Sequence, residues 1–78
     1  MRVKITGREE GAIPSESVVT ISTTRGAEEV VVHKSQASSD SVEAGFIGER
    51  GDEVLVELPR ETLSGRWRVW VPKDEITN

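Results

Sequence analysis

Apolar residues in the second half of this chain fall at every other position: Val42, Ala44 and Phe46, then Val54, Val56 and Leu58, then Trp67, Val69 and Val71. A repeat of two is that of a strand with one buried face. No window of helical length carries a clean apolar stripe at the helical spacing of about 3.6 residues. The chain is therefore expected to be all-β, with residues 42–71 forming a three-stranded antiparallel meander.

The breaks between the runs set the registers. Gly48-Glu49-Arg50-Gly51-Asp52 reads as a three-residue hairpin loop, a type I turn followed by Gly51 in the left-handed region. That loop pairs Gly48 with Asp52, which sets Phe46 opposite Val54, Ala44 opposite Val56 and Val42 opposite Leu58. Placing Leu58 opposite Trp67 brings Val56 to Val69 and Val54 to Val71. Both registers select the same core face, and slipping either by one residue drives Glu57 or Arg68 inward.

The first half follows the same rules. Met1, Val3 and Ile5 alternate with Arg2, Lys4 and Thr6, a first strand, and the Gly- and Pro-punctuated residues 7–16 read as a loop. Ser17–Thr23 and Glu28–Lys34 form a long hairpin closed by Thr24-Arg25-Gly26-Ala27, with Ile21 opposite Val30 and Val19 opposite Val32. Residues 35–41, rich in serine, are expected to be a mobile loop. After the meander the chain leaves the sheet at Pro72, makes one 3₁₀ turn and ends in a short strand at Ile76-Thr77.

A long hairpin, a meander, a Val-Pro step, a helical turn and a short closing strand resemble, over residues 17–78, the order found in SH3-like barrels. The resemblance implies a small SH3-like barrel and no more. The chain has no tyrosine, and its tryptophans stand on the last meander strand. The aromatic groove with which signalling SH3 domains hold proline-rich peptides is therefore missing, and no binding residues are carried over.

Composition narrows what such a fold can do. Residues 1–78 make one small domain whose core, with hydrophobic residues at 35%, is small and mostly valine. Without cysteine there are neither disulfides nor thiolate metal sites. A chain this short often gains stability from self-association. The net charge of −4 is the reverse of the balance a nucleic-acid binder usually shows. No apolar run approaches the roughly 20 residues that span a bilayer, and the N-terminus lacks a signal-peptide core. The expected compartment is the cytoplasm.

The face of the meander turned away from the core carries the candidate site. It presents Gly45, Leu55 and Trp70 in one row and Glu43, Glu57 and Arg68 in the next, with Ile47 beside Glu53. Trp70, Leu55 and Ile47 make an apolar patch with Arg68 at its rim, suited to a protein partner or a second copy of the chain, since Trp and Arg are enriched at binding hot spots. The competing structural role is a second core layer, covered by the N-terminal strand or by Ile13-Pro14. A different function would use Arg60, Arg66, Arg68 and Lys73 to grip single-stranded nucleic acid.

Chemistry finds little support. His33, the only histidine, has Ser35 and Asp40 nearby in sequence, but a nucleophilic serine needs a rigid elbow and an oxyanion hole. The acidic pairs Glu9-Glu10 and Asp52-Glu53 lack the oxygen-ligand spacing of a calcium loop. Arg50-Gly51-Asp52 resembles the adhesion tripeptide read by integrins, yet Gly51 already has a turn role. No catalytic residue, metal or cofactor is expected.

Overall fold

The computed structural model describes residues 1–77, and among them every regular element except two single 3₁₀ turns is a strand. In chain order the strands are β1 (Arg2–Lys4), β2 (Gly7–Glu10), β3 (Glu16–Thr23), β4 (Gly26–His33), β5 (Ser41–Glu43), β6 (Gly45–Arg50), β7 (Glu53–Glu57), β8 (Arg68–Pro72) and β9 (Ile76–Thr77). They pair into three antiparallel three-stranded sheets, β5-β1-β9, β2-β3-β4 and β6-β7-β8, none of which closes on itself. A long hairpin, a meander, a 3₁₀ turn at Lys73–Glu75 and a closing strand follow in the expected order, but the meander runs from Gly45 to Pro72 and not from residue 42, because Ser41–Glu43 pairs with β1 in another sheet.

One core joins the three sheets. Val3, Val19, Ile21, Val30, Val32, Val42, Val54, Val56, Leu58, Val69 and Val71 are buried together, with Ile5, Ala37, Ala44 and Ile76 packed at its margin. Valine dominates because a β-branched side chain is stiff and fills a pleated surface at little rotamer cost. Each such side chain contributes about 1.5–3 kcal/mol when fully buried.

The β7–β8 register is the expected one, with Val54 opposite Val71, Leu55 opposite Trp70, Val56 opposite Val69 and Glu57 opposite Arg68. The long hairpin is shifted by two residues. It closes through Thr24-Arg25, so Thr23 meets Gly26, Ile21 meets Glu28, Val19 meets Val30 and Ser17 meets Val32. The Thr23 hydroxyl draws this tighter turn shut, donating to the Gly26 carbonyl at 2.7 Å and accepting from the Arg25 N–H at 3.1 Å. Gly26 supplies the positive φ of 114° that the tighter closure needs. A shift of two keeps every side chain on its own face, so Val19, Ile21, Val30 and Val32 are buried as the pattern requires.

The β6–β7 register departs further. Its turn is the two residues Gly51-Asp52, with Arg50 opposite Glu53, and a bulge between Phe46 and Gly48 then re-sets the ladder so that Phe46 faces Val56. A two-residue turn with Gly at its first position and positive φ only there, 57° at Gly51, suits the right-handed twist of paired strands better than the three-residue loop. Val42 does not face Leu58; it pairs with Val3 of β1. Two residues assigned to the core are exposed, Phe46 at 56% and Trp67 at 52%. Phe46 lies on an edge strand beside the bulge, and Trp67 precedes β8. Parity puts a side chain on a face but does not extend the opposing layer over it.

Residues 7–16 are not wholly loop, because Gly7–Glu10 pairs with β3 as an edge strand. Its run of Gly, Arg, Glu and Glu has no apolar member to reveal it, and charge on an edge discourages further pairing. The serine-rich stretch is a bonded turn, not a mobile loop. Ser38 Oγ donates to Asp40 Oδ1 at 3.0 Å and accepts from the Ser41 N–H at 3.2 Å, and buried Ser41 Oγ accepts from Arg2 Nε at 2.7 Å.

Candidate functional site

The outer face of β7 and β8 gathers three of the four residues proposed for binding. Leu55 and Trp70 are cross-strand partners, and Arg68 follows on the same face opposite Glu57, with Nε 3.0 Å from Glu57 Oε2. The bulge brings Gly48, not Gly45, into the row beside Leu55. A glycine there leaves the Leu55–Trp70 pair without a side chain on its β6 flank. Ile47 sits within the bulge and is 39% exposed.

Neither segment expected to cover this face does so: β1 is paired between β5 and β9, and Ile13 is 51% exposed. Trp70 carries Arg50 instead. The Arg50 guanidinium lies 4.2 Å from the centre of the indole ring, and its Nη2 is 3.0 Å from Glu53 Oε1. The indole face attracts the cation through its quadrupole, and Glu53 fixes the arginine in place. The apolar repeat gives no sign of Arg50. Its signal was the Arg50-Gly51-Asp52-Glu53 turn, which sets Arg50 opposite Glu53, one strand from the tryptophan. The integrin-like tripeptide is thus not free at its arginine.

Arg50→Gln is expected to cost less than about 1 kcal/mol, the worth of an exposed cation–π contact. It should make Trp70 more accessible to acrylamide. Trp67 stays exposed in both proteins, so the gain would appear as a second quenchable population.

The four cations named for nucleic-acid binding each meet a carboxylate: Arg60 and Glu16 at 2.9 Å, Arg66 and Glu28 at 3.9 Å, Arg68 and Glu57 at 3.0 Å, Lys73 and Glu49 at 3.4 Å. Among the described residues, Arg66 and Arg68 line one cleft. Arg60 is tied to the start of β3, while Lys73 stands beside Pro72 with Asp52 and Asp74.

His33 and Ser35 do meet, with Nδ1 2.7 Å from Ser35 Oγ. The contact belongs to a helix cap. Ser35 N–H donates to the same Nδ1 at 3.1 Å, and His33 N–H donates to Gln36 Oε1 at 2.9 Å, closing a capping box on the 3₁₀ turn Lys34–Gln36. Asp40 bonds Ser38 rather than the imidazole. Among the described residues no three His, Cys, Asp or Glu side chains converge as a metal site, and no helix is long and apolar enough to cross a membrane.

No protein-family model matches the chain, and no curated protein or solved structure matches it.

Proposed function

We propose that this chain is a small SH3-like barrel acting as a non-catalytic interaction module. It would hold a protein partner, or a second copy of itself, through Trp70, Leu55 and Ile47 with Arg68 at the rim. The observation that supports this reading most is the state of Trp70. A large, half-buried aromatic stands on the outer face of a sheet, beside Leu55 and the side-chain-free Gly48, with the Arg50 guanidinium over its indole ring. Aromatic residues flanked by arginine are typical binding anchors. The barrel assignment draws support from the order of elements and from β1, which pairs with both β5 and β9.

Trp70→Ala tests the proposal. The expected result is lost self-association in sedimentation or light scattering, or loss of partners from a pull-down, with the fold retained by circular dichroism. A variant that keeps its mass in solution and all partners, and loses only thermal stability, would make Trp70 a purely structural residue.

The nucleic-acid alternative through Arg60, Arg66, Arg68 and Lys73 has weaker support, because those side chains do not line one track. Retention on single-stranded oligonucleotides that falls steeply with salt would favour it.

A further inference from the structure

A cleft of about 240 Å³ opens between β8 and the tip of the β3–β4 hairpin, with Leu55 and Trp70 on its apolar side and Arg25, Arg66 and Arg68 around it. We propose that this cleft receives an extended acidic segment of a partner protein, which adds to the edge of β8 at Arg68, beside the point where Thr24 meets Trp70. This inference rests on the interaction-module reading of the Trp70 face and names the chemistry of its partner.

Two independent observations point to such a segment. The first is charge. Among the described residues Arg25 has no carboxylate within 4.0 Å, although the molecule as a whole is acidic. Arg68 meets Glu57 through Nε, and Arg66 approaches Glu28 through Nε at 3.9 Å without a hydrogen bond. The terminal nitrogens of both guanidinium groups donate to no group among the described residues, and a planar fork is suited to a carboxylate.

The second observation is the main chain. Thr24 N–H donates to the Trp70 carbonyl at 3.0 Å, so the peptide groups of Trp70 face away from β7. Antiparallel alternation turns the N–H and C=O of Arg68 the same way. Leu58 N–H bonding to the Trp67 carbonyl at 2.9 Å agrees, because it sets Trp67 and Val69 toward β7. Arg68 N–H, Arg68 C=O and Trp70 N–H thus face away from β7, and no described loop, turn or side-chain group bonds to them. An added strand supplies both an acceptor and a donor to Arg68. A phosphodiester backbone offers oxygen acceptors but no regularly placed donor, so a peptide fits this edge better than a nucleic acid.

The test is titration of the full chain, at two salt concentrations, with a short acetylated and amidated peptide alternating glutamate and valine. The probe is followed by amide chemical shifts and calorimetry. Expected are shifts centred on Thr24, Arg68 and Trp70, and affinity about tenfold lower for an Arg25→Gln/Arg68→Gln variant, the scale of losing close charge pairs. N-methylation of alternate peptide amides should weaken binding similarly, and replacing glutamate with lysine should abolish it. Arg25 is at the exposed hairpin tip, so its single substitution keeps the test readable if the double variant unfolds. Absence of binding, indifference to the arginine substitutions or to N-methylation, or tighter binding of oligothymidylate at the same amides would each overturn the proposal. If the peptide fails while Trp70→Ala still abolishes association, the acidic partner alone is wrong. If both fail, the module reading falls with it.

Discussion

Ile21→Ala should unfold a large part of the population at 37 °C. Ile21 is fully buried and is the largest of the fully buried side chains. Truncating a core isoleucine to alanine costs about 2–5 kcal/mol, through lost transfer energy and the cavity left behind. A chain of 78 residues at about 0.05–0.15 kcal/mol per residue has only roughly 4–12 kcal/mol in total. Urea denaturation would measure the loss as a lower midpoint at unchanged slope. Ile21→Val, which keeps the branched carbon, should cost about 0.5–1.5 kcal/mol. Equal effects of the two would mean that the core between the hairpin and the meander is looser than the structure describes.

Gly11→Ala should be the most damaging glycine substitution, by about 1–3 kcal/mol, the usual scale of forced overpacking. The turn from β2 to β3 folds so tightly that an added Cβ at position 11 would lie 2.7 Å from Glu16 Cβ and 2.9 Å from the Glu16 carbonyl carbon and oxygen. Two of those atoms are backbone and cannot swing aside. The turn is held by Gly11 N–H to Glu16 C=O at 3.0 Å and Glu16 N–H to Ile13 C=O at 3.1 Å, both of which the clash would disturb. Glu16 also carries the Arg60 ion pair, so the strain would reach the loop that follows β7. Gly48→Ala is the control, since a Cβ there meets nothing within 4 Å. Hydrogen exchange should show faster opening of β2 in the first variant and no change in the second.

What could be read from the residues followed from how many constraints each segment carried. β7 and β8 are patterned on both faces, and setting Leu58 opposite Trp67 puts Val54, Val56, Val69 and Val71 inside and pairs Glu57 with Arg68 outside. The long hairpin offered only its parity. Any shift of two satisfies that equally, and the Thr23 hydroxyl and Gly26 chose between the options. The bulge beside Phe46 changes parity within a strand, and no periodic rule anticipates it. β2 was invisible because an edge strand of charged residues shows no apolar repeat.

The candidate site divides the same way. Leu55, Trp70 and Arg68 were legible because they belong to the well-determined β7–β8 pair. Arg50 was not, since its position over Trp70 depends on the turn length and the bulge together. The cleft beside β8 was also out of reach, because Arg25 meets Arg66 and Arg68 only through the approach of the hairpin tip to Trp70.

The pairing of β1 with β9 bears on how the molecule carries load. Arg2 lies opposite Thr77 and Val3 opposite Ile76, so a pull applied between these two ends acts at the open mouth of an antiparallel ladder only two pairs long. Its bonds would be strained in succession, not together, and the ladder would peel at low force. Peeling would first release β9 and bare one edge of β1, after which the load passes to β1, still paired with β5, and to β8, which a single 3₁₀ turn joins to β9. Tension along the chain is thus met by a small releasable clasp before it reaches the face that carries Trp70.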